Sequence, residues 1–132
     1  MIKEDYVSFE TAKLLKEKGF VVPYDSFRGV YINGKFLRLN PGQGYLHNIG
    51  DEIINVCSLQ MAMKWLREKF NINPVPYALS LGWAFDIFDL SNRDISGCKK
   101  LFSMDLPSKS ECYKTYEEAC ESAIRYTLEN LI

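Results

Sequence analysis

The chain has 132 residues, 47% of them hydrophobic and 25% charged, a size and composition typical of one globular domain. Sixteen basic residues against seventeen acidic ones give a formal charge of −1, so the chain lacks the global positive field that favours non-specific nucleic-acid binding. No apolar stretch approaches the roughly 20 residues that span a bilayer, and the mixed charges of the first residues argue against a secretory signal. We therefore expect a single cytoplasmic domain over 1–132 that makes no contact with a membrane.

The cysteines and the histidine do not form a metal-binding pattern. Cys57, Cys98, Cys112 and Cys120 include no CxxC pair, and His47 is the only histidine. We expect no metal and no cofactor. Cys120 lies on the apolar face of a predicted helix, which favours a buried reduced thiol. Cys98 and Cys112 bracket a loop and would pair only in an oxidising compartment.

The first predicted helix runs from Ser8 to about Lys18. Ser8 is a suitable N-cap, and Gly19 provides the C-terminal stop. This helix is also similar to the first helix of helix-turn-helix proteins. No recognition helix follows it, however, because VVPYDSF begins extended and carries a proline where that helix would start.

A β-hairpin is predicted in RGVYI-NG-KFLRL. Asn33-Gly34 lies between two apolar runs, and both central residues of a type I′ turn need positive φ. The turn fixes the register, which pairs Ile32 with Lys35, Tyr31 with Phe36, Val30 with Leu37 and Gly29 with Arg38. From 40 to 55 the chain is rich in glycine and turn-forming residues, and we interpret it as irregular.

The second predicted helix, SLQMAMKWLREKF, carries apolar residues in two places. It begins after Ser58 and ends at Asn71. One narrow stripe contains Leu59, Ala62, Met63, Leu66 and Phe70. Met61 and Trp65 lie well to the side of that stripe, flanked by charged residues. We therefore expect this helix to make contacts on two sides.

A second hairpin follows. Pro74 and Pro76 confine any strand there to an edge position or to a start after the second proline. Residues 77–81 and 83–90 then read as two strands that turn near Gly82. The segment 91–114 is polar and broken, with a short apolar island at Leu101 and Phe102.

The last helix starts with the capping box TYEE, in which the Thr115 hydroxyl accepts from the Glu118 N–H. Its broad apolar face contains Tyr116, Ala119, Cys120, Ala123, Ile124, Thr127 and Leu131. The predicted order is α-ββ-α-ββ-α. This order indicates an α+β fold, in which an antiparallel sheet of two hairpins packs with about three helices.

Three stretches carry a family resemblance. YVSFETAKLLKEKGF, SLQMAMKWLREKF and TYEEACESAIRYTLENLI resemble a family of short uncharacterised proteins that recur in gut-bacterial genomes and their mobile elements, including prophages. The resemblance covers the start, middle and end of the chain. It implies a bacterial cytoplasm and brings no known activity. The loops 40–55 and 91–114 remain without an assigned role.

The strongest enzyme-like constellation is His47, Asp51 and Cys57, close to a helix N-terminus that would lower a thiol pKa. A Cys–His pair needs hydrogen-bond contact and an orienting third group, and closeness in sequence ensures neither. The ordinary interpretation is a solvated histidine, a surface acid and a partly buried thiol. We assign no catalytic residue and expect no enzymatic activity.

The first hairpin offers a candidate binding face. The pleat places Val30, Ile32, Leu37 and Leu39 on one face, and Phe27, Tyr31, Phe36 and Arg38 on the other. If helices cover the first face, the aromatic side chains beside an arginine could stack bases or hold a peptide.

We therefore expect a small accessory protein that acts by protein–protein contact with a partner or a second copy. Met61, Trp65, Phe27, Tyr31, Phe36 and Arg38 are the candidate contact residues. The alternative is binding of single-stranded nucleic acid through the aromatic and basic hairpin face. A third hypothesis is a thiol-dependent enzyme at Cys57.

Overall fold

The structure, a computed structural model, describes residues 5–22, 28–39, 48–105 and 107–132. Its described part contains three helices and six strands, and the strands form two separate three-stranded antiparallel sheets. The predicted α+β class is confirmed, but the two predicted hairpins do not share one sheet, because each pairs with a third strand of its own. Contacts within the chain group it into two compact units, Met1–Leu59 and Gln60–Ile132. The expectation of one domain over 1–132 stays a prediction.

The first unit contains α1 (Phe9–Glu17) and a sheet of β1 (Arg28–Ile32), β2 (Lys35–Leu39) and β3 (Ile53–Val56). The sheet order is β2-β1-β3. The four predicted pairs of the Asn33-Gly34 hairpin are confirmed, and the two turn residues have φ values of 51° and 81°. The interpretation of 40–55 as irregular is wrong at β3, because this strand finds its partner in β1.

The ends of α1 follow from the sequence. The Ser8 hydroxyl accepts the Thr11 N–H at 3.3 Å, and Gly19 ends the helix with a φ of 93°. The segment before α1 runs beside the end of β3, where the Val7 N–H donates to the Cys57 carbonyl at 3.1 Å. This contact holds the start of the chain's first helix against the sheet.

The second unit contains α2 (Leu59–Phe70), which begins at the unit boundary, then β4 (Ile72–Leu79), β5 (Gly82–Asp94), β6 (Gly97–Ser103) and α3 (Tyr116–Asn130). The sheet order is β4-β5-β6. The interpretation of 91–114 as broken is wrong in its first part. There β5 continues and turns into β6, although most of the side chains from 91 to 100 are exposed.

Both prolines of β4 lie on an edge strand, as predicted. Pro74 is opposite Ile87 and Pro76 is opposite Phe85 in the pairing with β5. The hairpin turns immediately before Gly82, which has a φ of 144°. Few residues other than glycine adopt this conformation without strain.

The third helix has its predicted cap. The Thr115 hydroxyl accepts the Glu118 N–H at 3.1 Å, while the Glu118 carboxylate accepts the N–H of Lys114 instead of that of Thr115. α3 packs on β4 and β5. Its buried side chains are Ala119, Cys120, Ala123, Ile124, Thr127 and Leu128. Ala123 joins Ile72, Phe85 and Ile87 in the core of this unit.

Candidate functional site

α2 buries one of its two predicted apolar surfaces and leaves the other half-exposed. The narrow stripe is buried at Leu59, Ala62, Met63 and Leu66. Met61 and Trp65 are only half-buried. The Trp65 ring packs edge-on against Phe70 with centroids 5.2 Å apart, and Lys69 Nζ lies 6.0 Å from the centre of the indole. The surface at Met61 and Trp65 is therefore partly accessible, and its use for a partner stays a prediction.

The aromatic face of the first hairpin is partly covered by the chain's own start. The Tyr31 hydroxyl donates to the Val7 carbonyl at 3.1 Å, and its ring meets Phe9 of α1 edge-on at 5.4 Å. Phe36 packs 5.3 Å from Tyr6 and remains 43% exposed. Among the aromatic rings that the structure describes on this face, Phe36 is the most exposed to solvent.

Phe36 also lies across the backbone of β1. A methyl group at Gly29 would overlap the Phe36 ring, so the glycine makes room for the aromatic side chain. Arg38 is exposed on the same face. Phe27 lies outside the described residues. Among the four residues predicted for this face, the structure brings Tyr31 and Phe36 into ring contact at 5.5 Å.

The thiol constellation is not assembled by the described residues. Cys57 is buried, with 3% of its surface exposed. The Asp51 carboxylate accepts hydrogen bonds from the Asn33 side-chain amide at 2.9 Å and from the Asn48 N–H at 2.7 Å. Asp51 therefore stabilises the turns beside the hairpin, and His47 lies outside the described residues. The thiol-enzyme hypothesis stays a prediction.

The cysteines show no disulfide, and Cys120 is buried as its helical position predicts. Among the residues that the structure describes, no three histidine, cysteine or carboxylate side chains lie close enough to hold a metal ion.

A concave surface of ligand size lies in the second unit, where the sequence indicates no site. A helix about 10 Å wide covers about two strands spaced roughly 4.8 Å apart, and α3 packs on β4 and β5. The end of β6 and the segment that follows it therefore border a cleft beside the helix. The cleft has a volume of about 620 Å³, within the roughly 300–1,000 Å³ typical of small-ligand sites.

Four aromatic rings line the cleft in a continuous series. Phe85 is central, with its ring 5.3 Å from Phe102 and 6.0 Å from Tyr113. Tyr126 of α3 continues the series at 4.2 Å from Phe102. The rings within each pair are inclined by about 30°. This arrangement offers a ligand a rigid apolar wall at little cost in side-chain entropy.

The polar part of the lining contains two carboxylates and one guanidinium. Arg125 Nη2 lies 3.2 Å from Glu129 Oε1, one turn further along α3. Glu111 accepts hydrogen bonds from the Ser108 hydroxyl at 2.7 Å and from the Ser108 N–H at 3.0 Å. These two bonds hold the pKa of the Glu111 carboxyl below its ordinary value, so this side chain carries a negative charge at neutral pH.

The wall formed by 107–113 is attached to the sheet by a two-residue bridge. Trp83 and Tyr113 exchange both backbone hydrogen bonds, each 2.8 Å long. Just after β6, the Met104 sulfur accepts a hydrogen bond from the Phe85 N–H at 3.3 Å. Close approach at the bridge requires Gly82, because a Cβ there would lie 2.7 Å from the Tyr113 carbonyl oxygen.

No local pattern in the sequence marks this cleft, because its rings come from four separated segments. Phe85 lies in a predicted strand, Phe102 in a short apolar island, and Tyr126 in the last helix but outside its predicted apolar face. Tyr113 lies in a stretch whose sequence reads as broken. The pairing of β5 with β6, the return of 107–113 to Trp83 and the packing of α3 on the sheet bring these residues together.

No protein-family model, curated protein or solved structure matches the chain. Over the described ranges, no helix has the length and apolarity that crossing a bilayer would require.

Proposed function

We propose that the protein is a binding protein without catalytic activity, and that the aromatic cleft of its second unit is the ligand site. The observation that supports this most directly is the cleft itself, about 620 Å³ with four packed rings in its lining. A few polar groups beside an apolar wall are typical of small-ligand sites. A bacterial cytoplasm as the setting is part of this proposal and rests on the sequence resemblance alone.

The test is a titration of the isotope-labelled protein with phenethyl alcohol, a small neutral aromatic probe. Binding is measured from the changes in the backbone amide NMR shifts. We expect the shifts to concentrate at the residues that line the cleft. Ser122 is half-buried in the α3 wall, so Ser122→Trp should fill the space and abolish them. Glu117→Trp places the same ring on an exposed position of α3 outside the lining and should bind like the parent protein. Shifts elsewhere, or equal binding by both variants, would refute the proposal.

A second candidate function is protein–protein contact through Met61 and Trp65. It is supported by a half-exposed indole and a half-exposed methionine one helical turn apart, a combination enriched at protein interfaces. Light scattering should show self-association that Trp65→Ala lowers while unfolding stays cooperative. Lys64→Ala, on an exposed position of the same helix, is the control. A monomer at all concentrations, with no loss of partner capture in Trp65→Ala, would exclude this function.

Nucleic-acid binding through the hairpin face stays a prediction. Tyr31 and Phe36 are partly packed against Phe9 and Tyr6, which leaves less aromatic surface for bases than the sequence suggests. Salt-dependent retention on single-stranded oligonucleotides, lost in Tyr31→Ala, would support it, whereas no retention at low salt would eliminate it.

A further inference from the structure

We infer that the cleft selects organic cations, namely ligands that join an aromatic or aliphatic body to an ammonium group. This inference rests on the proposed function and adds the chemical class of the ligand. Three properties of the lining support it: its net charge, the state of its one guanidinium, and its aromatic content.

The ionised side chains of the described lining carry a net charge of −1. Glu111 and Glu129 are negative, and Arg125 is positive. A ligand in the cleft therefore meets an excess of negative charge, although the chain as a whole is almost neutral. Both hydrogen bonds that Glu111 accepts come from Ser108, which is neutral, so they leave its charge uncompensated. That charge is thus available to an ammonium group.

The guanidinium offers little to an anionic ligand. Arg125 already pairs with Glu129 at 3.2 Å, an i,i+4 contact along α3. The negative charge of Glu129 offsets the guanidinium charge that would attract an anion, and Glu111 would repel the anion. A cation does not need to displace either partner.

The aromatic wall favours the same class of ligand. Ammonium groups are attracted to the negative faces of aromatic rings, and the attraction grows when the site excludes water. Phe102, Tyr113 and Tyr126 are half-buried in the lining, and Phe85, only 3% exposed, packs behind them, so a short ligand can contact one of the three accessible rings with its apolar body and still place its ammonium group near another ring or a carboxylate. A neutral ligand gains only the apolar part of this contact.

The experiment compares three probes of nearly equal size that differ in charge: phenethylamine, phenethyl alcohol and hydrocinnamate. We expect the amine to bind most tightly and the carboxylate most weakly by NMR titration. Removal of one unit charge about 4 Å from an ammonium group in water changes the binding constant by about fivefold. Glu111→Gln should therefore weaken amine binding by about that factor. Arg125→Gln makes the lining more negative and should strengthen it.

The control for charge is Glu68→Gln, which removes the same charge from an exposed position on α2 outside the lining and should leave amine binding unchanged. If the alcohol or the carboxylate binds at least as tightly as the amine, the inference about cations is overturned while the cleft remains a ligand site. The same holds if Glu111→Gln has no effect. If none of the three probes shifts the cleft residues, the proposed function itself is refuted.

Discussion

Replacement of Gly82 by alanine tests how the wall of the cleft is held. Gly82 has a φ of 144°, and a Cβ on it would lie 2.7 Å from the Tyr113 carbonyl oxygen and 2.9 Å from the Cys112 Cβ. Alanine therefore faces two separate difficulties. Its backbone is strained, and its methyl group pushes away the segment that Tyr113 bridges to Trp83.

The expected loss in the free energy of unfolding is the sum of these two effects. A non-glycine residue in this backbone region costs about 1–3 kcal/mol. Loss of the two hydrogen bonds between Trp83 and Tyr113 adds about 2 kcal/mol, at about 1 kcal/mol each. Gly97 isolates the first effect, because its φ is 123° and nothing lies within 4 Å of the position that a methyl group would take there. We therefore expect Gly82→Ala to destabilise the protein by about 2 kcal/mol more than Gly97→Ala.

Urea unfolding followed by tryptophan fluorescence gives both free energies of unfolding, and NMR titration with phenethyl alcohol gives the state of the cleft. Gly82→Ala should bind the probe more weakly, while Gly97→Ala should bind it normally. If the two variants lose equal stability, the bridge between Trp83 and Tyr113 does not hold the wall as described.

Three further predictions concern the other contacts. Gly29→Ala should lower the free energy of unfolding by about 1–2 kcal/mol, because the methyl group meets the Phe36 ring. In a double-mutant cycle, additive effects of Gly29→Ala and Phe36→Ala on this free energy would contradict the contact. Thr115→Ala should lower stability by about 1 kcal/mol in thermal unfolding, whereas Thr115→Ser keeps the capping hydroxyl and should not; equal losses would argue against the cap. NMR titration should give Glu111 a pKa below its ordinary 4.5, and Ser108→Ala should raise that pKa. Because the pKa of Glu111 is lower in the folded state, its contact with Ser108 stabilises the fold at pH values above the ordinary pKa. This stabilisation is lost as the pH falls through the lowered pKa. An unchanged Glu111 pKa in Ser108→Ala would refute the assignment.

The elements that the sequence predicts well are those encoded by local chemistry. The Asn33-Gly34 turn determines the register of its hairpin because positive φ at two successive residues is compatible with few other turns. Thr115 caps α3 through its own hydroxyl. Pro74 and Pro76 lack the N–H that a central strand would need, which restricts β4 to an edge.

The elements that the sequence misses depend on partners far away in the chain. β3 has only four residues, too few for a convincing alternation, and it forms because β1 offers an open side. The outer part of the β5–β6 hairpin is exposed on both faces, so no hydrophobic period distinguishes it from a loop. The cleft depends on that same hairpin, and for this reason local patterns could not locate it.

The two prolines of β4 have a consequence for how this protein behaves at high concentration. Pro74 and Pro76 are two residues apart on an edge strand, so the backbone N–H is missing twice on the same side of β4. A foreign chain that tried to add itself there would find two consecutive donors missing and a pyrrolidine ring in place of each. This border of the sheet therefore resists templated growth into fibrils, even though the strand beside it is rich in aromatic and branched side chains.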